Sequence, residues 1–164
     1  MIVHKLNHHD FEEPEYVLLA LRAVCEPYQI AFLLNSYVGT HFKRIAKELE
    51  VPVPHGIAHF ERFQYKDQKL GIQWDLIANK GIGVQTADSS VQTLFDLPSL
   101  PLTSNAILIS EMKQIDCWLT KTMDEYDADE SELVQKMKQI TQFQFVGIID
   151  SEKVKTKYHT VFDS

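Results

Sequence analysis

The chain has 164 residues, of which 45% are hydrophobic and 24% are charged, and we expect residues 1–164 to form a single soluble domain. Its formal net charge of −7 excludes a surface that tracks phosphates, so neither nucleic acid nor an anionic membrane is an expected partner. A local basic patch is still compatible with that charge. The N-terminal residues 1–16 lack the apolar core of a signal peptide, and no apolar run reaches the roughly 18–20 residues of a membrane span. Cys25 and Cys117 both have apolar neighbours, so we expect free, buried thiols and a cytoplasmic protein.

The first fifty residues predict a strand, a helix and one ambiguous segment. Tyr16–Val24 (YVLLALRAV) is almost continuously apolar, as a strand buried on both faces would be. In the helix that follows, Pro27 suits the first position and Gly39 the position just past the end. Its apolar positions form one broad stripe, which predicts a deeply buried helix: Ile30, Ala31, Phe32, Leu33, Leu34, Tyr37 and Val38. His41–Val51 mixes strand-forming and helix-forming residues and fits either element.

The middle of the chain predicts a β-hairpin. Its arms are Ile57–Lys66 and Gly71–Asn79, and its turn is Asp67–Leu70. The second arm alternates between apolar and polar residues. In the first arm Phe60 and Phe63 are three residues apart, which requires either a bulge or burial on both faces.

Residues 80–105 predict a long loop or arm within the domain, because glycine, serine and proline recur there. The segment also contains an apolar run that must pack on this domain, on a partner or on a second copy. Its large side chains are a candidate interaction arm: Leu94, Phe95, Leu97 and Leu100.

The last third of the chain predicts three strands and a helix. Ala106–Ile109 and Ile115–Thr122 predict strands joined at Ser110–Gln114, and Phe143–Ile149 predicts the final strand. Between them, acids near the start of residues 127–141 and lysines toward the end are typical of a helix. The order of elements predicts an α+β domain with a largely antiparallel sheet of about five to seven strands and two main helices packed on one face.

Motifs that carry chemistry are few. His55 and His59 have the spacing of a helical metal pair, but the prolines and Gly56 around them favour a strand, in which the two residues are about 13 Å apart. The sequence has no GxSxG elbow, and the glycines at 81 and 83 lack the rest of a phosphate loop. We therefore expect no metal, no cofactor and no catalytic residues, and enzymatic activity is disfavoured.

The stretch ISEMKQIDCWL (residues 109–119) places carboxylates in or beside strands, where they are disfavoured. Strand alternation predicts Asp116 on the same side as Trp118 and opposite Ile115. In one interpretation, Asp116 pairs with a Lys or Arg across the strands or stabilises the preceding turn. In the other, Glu111, Asp116 and Trp118 form a recognition surface with the indole as its apolar centre.

The same stretch resembles the motif that names the IPExxxVDY family, small bacterial proteins without an established activity. Three positions match, and one is a conservative change from Val: Ile109, Glu111 and Asp116, with Ile115. Two positions depart, with Ser110 in place of Pro and Cys117 in place of Tyr. The HKL opening, the early strand and helix, the hairpin and the acidic last helix occur in similar order, so the resemblance spans most of the chain. It implies a shared fold and a cytoplasmic setting, and no particular activity.

Two functions are compatible with these observations. The first is a non-enzymatic protein-binding or adaptor domain, with an unknown protein partner and the ability to form a homodimer. The second is a small-molecule-binding protein or an enzyme with a pocket near Asp116, Trp118 and Glu111. An inert structural domain within a larger assembly is a third alternative that sequence does not separate from the first.

Overall fold

The computed structural model describes residues 16–85, 102–122, 130–150 and 154. Within these ranges the chain forms two helices, α1 (Pro27–Val38) and α2 (Glu130–Lys138), and ten strands. The strands are β1 (Tyr16–Ala23), β2 (Lys43–Arg44), β3 (Leu49–Val53), β4 (Gly56–Phe60), β5 (Arg62–Asp67), β6 (Ile72–Ala78), β7 (Lys80–Gln85), β8 (Thr103–Ile107), β9 (Cys117–Thr122) and β10 (Phe143–Ile149). A single 3₁₀ turn, Ser110–Met112, lies between β8 and β9.

The strands form two antiparallel sheets. Six strands pair in the order β10–β1–β9–β6–β5–β2, and the other four pair in the order β3–β4–β7–β8. Both helices pack on one face of the six-stranded sheet, and the four-stranded sheet packs on the other face. The α+β class and the two helices on one face are confirmed, whereas the second sheet was not predicted. Within the described ranges, neither helix is long and apolar enough to cross a membrane.

Strand β1 lies between β10 and β9 and confirms the prediction of a strand buried on both faces. Leu19 and Leu21 pack in the core beneath the helices, whereas Leu18 and Ala20 pack in the core between the sheets. Because both faces are covered, the strand has no solvent-facing positions over most of its length. This explains its continuous apolar run.

Each arm of the predicted hairpin contributes to both sheets, and the second arm continues past its predicted end into β7. The first arm passes from β4 to β5 at Glu61, and the second passes from β6 to β7 at Asn79. Phe60 packs in the core between the sheets and Phe63 in the core beneath the helices, so the first arm is buried on each face in turn. The N–H of Ala78 donates to the Glu61 carbonyl at 2.9 Å and joins the two arms at this crossover.

Helix α1 begins and ends at the predicted residues but is less buried than predicted. Pro27 is its first residue, and Gly39 follows it at a φ of 82°, in the left-handed region that favours glycine. Its fully buried side chains are Ile30, Ala31 and Leu34. Phe32 and Tyr37 are instead largely exposed. A helix that lies on a sheet buries only one side of its circumference, and the apolar residues of α1 extend beyond that side.

The ambiguous segment 41–51 forms strands. It contains β2 and the start of β3. Pro52 lies inside β3 rather than beyond its end. Because β3 is an edge strand, the missing N–H of proline need not interrupt the hydrogen bonds of the sheet.

Residues 80–105 do not form one loop. Strands β7 and β8 pair with each other, so the prediction is wrong at both ends of the segment. The glycine at 81 is needed for close packing, because a Cβ there would collide with the backbone of His59 and the ring of Phe60. Residues 86–101 lie outside the described residues, and with them the whole candidate interaction arm: Leu94, Phe95, Leu97 and Leu100.

The C-terminal part confirms the second helix and the last strand. Helix α2 buries Val134 and Met137, and Ile140 just beyond it is also buried. Strand β10 has the predicted bounds. Strands β8 and β9 do not form a hairpin, since they belong to different sheets.

Candidate functional site

Asn79 lies where the chain crosses between the two sheets, and its side chain is fully buried. Its Nδ2 donates to the carbonyls of Met112 at 3.1 Å and Ile115 at 2.9 Å. Its Oδ1 accepts from the N–H of Ile109 at 3.0 Å and from Nε1 of Trp118 at 2.8 Å. The amide therefore satisfies four groups of residues 109–118 in a region without access to water.

The backbone of Asn79 holds the same segment. Its N–H donates to the carbonyl of Asp116 at 2.9 Å, and its carbonyl accepts from the N–H of Leu108 at 2.8 Å. Hydrogen bonds thus hold residues 108–118 to one buried asparagine. This motif-like stretch, residues 109–119, has a structural role in joining the two sheets.

Asp116 joins three strands beside this crossover. Its Oδ1 accepts from Nζ of Lys80 at 2.8 Å, and its Oδ2 accepts from the N–H of Ala23 at 3.0 Å. Its own N–H donates to the carbonyl of Leu21 at 2.9 Å. Asp116 therefore has the cross-strand lysine partner that the first interpretation requires.

The three candidate recognition residues do not form one exposed surface. Trp118 is fully buried in the core between the sheets, so it cannot be the exposed apolar centre of a binding surface. Glu111 is exposed on the 3₁₀ turn and accepts from the Ser110 hydroxyl at 3.2 Å. The predicted alternation is also wrong at Ile115, which packs on the Trp118 side, because the regular strand begins only at Cys117.

A charged cleft of about 420 Å³ lies beside the first turn of α1, and Asp116 is part of its wall. Neither Trp118 nor Glu111 is among its lining residues. Arg44 in its wall contacts Glu48 and Glu61, each at 3.1 Å. Lys80 in the same wall pairs with Asp116, so the Arg and Lys side chains of the cleft are each paired with a carboxylate that also lines it. Within the described ranges, no group of three or more His, Cys, Asp or Glu side chains is placed to hold a metal ion.

Both thiols are free and lie near Asp116. Cys25 lines the cleft and is partly buried, whereas Cys117 is fully buried. Burial raises the pKa of Cys25 above its ordinary value of 9.0, and the charges of Asp116 and Glu26 raise it further. Burial, followed by the charge of Asp116, also raises the pKa of Cys117. Both thiols are therefore protonated at neutral pH, which disfavours a thiolate nucleophile.

The buried thiol of Cys117 predicts a loss of stability at alkaline pH. In the unfolded chain the thiol ionises near its ordinary pKa of 9.0, whereas in the folded protein it stays protonated to higher pH. The unfolded state then binds fewer protons, so the free energy of unfolding falls as the pH rises above 9, by at most about 1.4 kcal/mol per pH unit. Urea titrations from about pH 7.5 to 10.5 should show a shallower decline for Cys117→Ala than for the wild type. Parallel declines would contradict this role of the thiol.

The outward side of α1 is the most apolar helical surface among the described residues. Its twelve residues, PYQIAFLLNSYV, include no Lys, Arg, Asp or Glu. Tyr28, Phe32 and Tyr37 are 60%, 68% and 63% exposed, and Val24 just before the helix is 70% exposed. Tyr28 and Phe32 are four residues apart, so their rings lie on the same side of the helix. Sequence periodicity did not reveal this surface, because Phe32 and Tyr37 continue the stripe that predicted burial.

Helix α2, unlike α1, exposes charged side chains, as is typical of a helix that faces solvent. Its Glu132 and Lys136 form an exposed ion pair at 2.8 Å, one helical turn apart. Both helices cover the same sheet, so the difference between them lies in what their outward sides present to solvent.

Comparison with known proteins assigns the chain to no family: no protein-family model, no curated protein and no solved structure matches it. The resemblance of residues 109–119 to the IPExxxVDY motif therefore stays a prediction.

Proposed function

We propose that this chain is a non-enzymatic, cytoplasmic protein-binding domain that self-associates through the outward side of α1. The supporting observation is a helix without a charged residue that exposes Tyr28 and Phe32 on its outward side, with Tyr37 exposed at its flank. Aromatic side chains are enriched in protein interfaces, since each buries a large area at a small cost in conformational entropy. Two exposed aromatic rings that lie next to each other on one side of a helix, as those of Tyr28 and Phe32 do, are typical of an interaction site.

A second copy of the chain is the partner that the charge distribution favours. Each copy has a formal net charge of −7, so two copies repel each other over most of their surfaces. From Pro27 to Val38 the helix carries no acidic group, and exposed Glu26 lies just before it, so two copies can approach at Phe32 without opposing carboxylates from the helix itself. A twofold axis beside α1 would place Phe32 near Phe32 of the second copy, in an isologous contact.

The substitution Phe32→Glu tests this proposal. The wild-type chain should sediment and scatter light as a dimer, and Phe32→Glu should be monomeric at the same concentration. The variant removes an aromatic contact and places two carboxylates close to the twofold axis, which should weaken the dimer by about thirtyfold or more. Because Phe32 is largely exposed, the variant should keep the wild-type circular dichroism, and its melting temperature should lose only the concentration-dependent part that dimerisation adds.

A matched control is Gln135→Glu, which adds the same charge at an exposed position of α2. This variant should remain dimeric. A wild-type chain that stays monomeric at high concentration would overturn the proposal. So would a Phe32→Glu variant that is as dimeric as the control.

A further inference from the structure

A trough at one edge of the six-stranded sheet is rich in basic residues, although the chain as a whole is acidic. It has a volume of about 820 Å³ and lies between β2 and the turn that joins β5 to β6. Four Lys or Arg residues line it, and Asp67 is its one acidic lining residue. The whole sequence has the opposite balance, with 23 acidic and 16 basic residues. Positive charge is therefore locally concentrated in this trough.

The lysines of the trough are available to a ligand. All three of its lysines lack an ion pair within the described part of the chain: Lys43, Lys66 and Lys69. All three are exposed. The fourth basic residue, Arg44, already contacts two glutamates, so the lysines supply the unpaired positive charge.

Asp67 is occupied by its own turn. Its Oδ1 accepts from the N–H groups of Lys69 at 2.9 Å and Leu70 at 3.2 Å. Its Oδ2 accepts from the hydroxyl of Tyr65 at 3.3 Å. These bonds direct the carboxylate to its own turn and to Tyr65, and within the described residues Asp67 forms no ion pair with a lysine of the trough.

Three aromatic rings lead from the core to this trough. The ring of buried Phe42 meets Tyr65 edge-on, with centroids 6.0 Å apart and an interplanar angle of 62°. Tyr65 in turn contacts exposed His41, with centroids 5.7 Å apart. The outermost ring is thus supported from beneath, and it lines the same trough as the lysines. An exposed ring in this position can stack against a planar group of a ligand.

We propose that the trough binds a nucleoside phosphate, with the phosphates at Lys43, Lys66 and Lys69 and the base against His41 and Tyr65. The volume is within the range of small-molecule sites, roughly 300–1,000 Å³. A single nucleotide needs only a few cations, unlike the long phosphate-tracking surface that the net charge of the chain excludes. The trough combines both features that such a ligand requires, unpaired cations and a supported aromatic ring.

Calorimetric titration of the full chain without magnesium tests the ligand class. ATP should bind, and its affinity should fall as KCl is raised from about 50 to 200 mM. Tripolyphosphate and adenosine should each bind about tenfold or more weakly than ATP, because each offers only half of the proposed contacts. Absence of heat with ATP at millimolar concentration would overturn the proposal. Equal affinity for tripolyphosphate and ATP would also overturn it, since the rings would then take no part.

Paired variants locate the site. The double variant Lys43→Gln/Lys66→Gln should lower the affinity for ATP by about tenfold or more. The double variant Lys113→Gln/Lys138→Gln removes the same charge from exposed positions outside the trough and should leave the affinity within about twofold of wild type. His41→Ala should weaken ATP while leaving tripolyphosphate unchanged. Equal losses in the two lysine pairs would assign the binding to net charge and refute the site.

Discussion

Replacement of Asn79 by leucine is expected to leave the chain unfolded or only marginally stable. Leucine is similar in size to asparagine but has no donor or acceptor. The carbonyl of Ile115, the N–H of Ile109 and the indole N–H of Trp118 would lose their bonds to the amide. The carbonyl of Met112 would lose one bond and keep the one from the N–H of Ile115 at 3.1 Å. A buried polar group without a partner costs about 1–3 kcal/mol, so the first three together cost roughly 3 kcal/mol or more. Typical domains are stable by only about 5–15 kcal/mol in total.

Urea unfolding, followed by tryptophan fluorescence and by circular dichroism, measures this effect. The control is Asn105→Leu, at an exposed position of β8, where a change within about 0.5 kcal/mol is expected. Asn79→Asp should also be strongly destabilised, because a carboxylate cannot donate to the two carbonyls and would bury a charge. An Asn79→Leu variant as stable as the Asn105 control would show that the four bonds contribute little.

The role of Asn79 changes the meaning of the motif-like stretch. The side chains of Ile109 and Ile115 pack in the core between the sheets, and a backbone group of each residue forms a hydrogen bond with the Asn79 amide. Asp116 extends the same junction to β1 and Lys80. The acid that stood out in the sequence therefore stabilises a crossing of strands.

Features governed by neighbouring residues could be predicted from the sequence. The continuous apolar run identified β1, because a strand between two covered faces has few positions for polar residues. Proline and glycine marked the ends of α1, since each restricts or permits particular backbone angles at its own position. The turn between β5 and β6 followed for the same reason.

Features that depend on distant partners could not be predicted. The alternation of apolar and polar residues in the second hairpin arm places Asn79 on the polar side, together with Asp75. The hydrogen-bond partners of its side chain, however, are 30 to 39 residues away in the sequence. Glycines at 81 and 83 resemble a turn in sequence, but they lie in a strand, where a Cβ at 81 would collide with the ring of Phe60 and a Cβ at 83 would crowd Ser104. Periodicity also could not show which apolar residues of α1 would contact the sheet. In each case the deciding contact comes from an element that the local pattern does not contain.

The second large effect is expected from Glu130→Ala, which removes a carboxylate that pairs with a buried cation. The side chain of Lys121 is only 2% exposed, and its Nζ lies 2.7 Å from Oε1 of Glu130. The same ammonium lies 5.6 Å from the ring centroid of Trp74. Removing Glu130 takes a carboxylate from hydrogen-bond distance of this buried ammonium, and breaking such a buried pair costs up to about 3–5 kcal/mol. Urea unfolding of Glu130→Ala should show a loss of this size.

Two further variants separate charge burial from other roles of Glu130. In Lys121→Met/Glu130→Ala both charges are absent, so most of the lost stability should return. Glu132→Ala breaks the exposed pair with Lys136 on the same helix and should cost less than about 1 kcal/mol. Both glutamates lie in the first turn of α2, so any interaction with the helix dipole is common to them and cancels in the comparison. Equal losses of stability for Glu130→Ala and Glu132→Ala would therefore assign the effect to the helix terminus. A larger loss for Glu130→Ala, with stability regained in the double variant, assigns the effect to the buried ammonium.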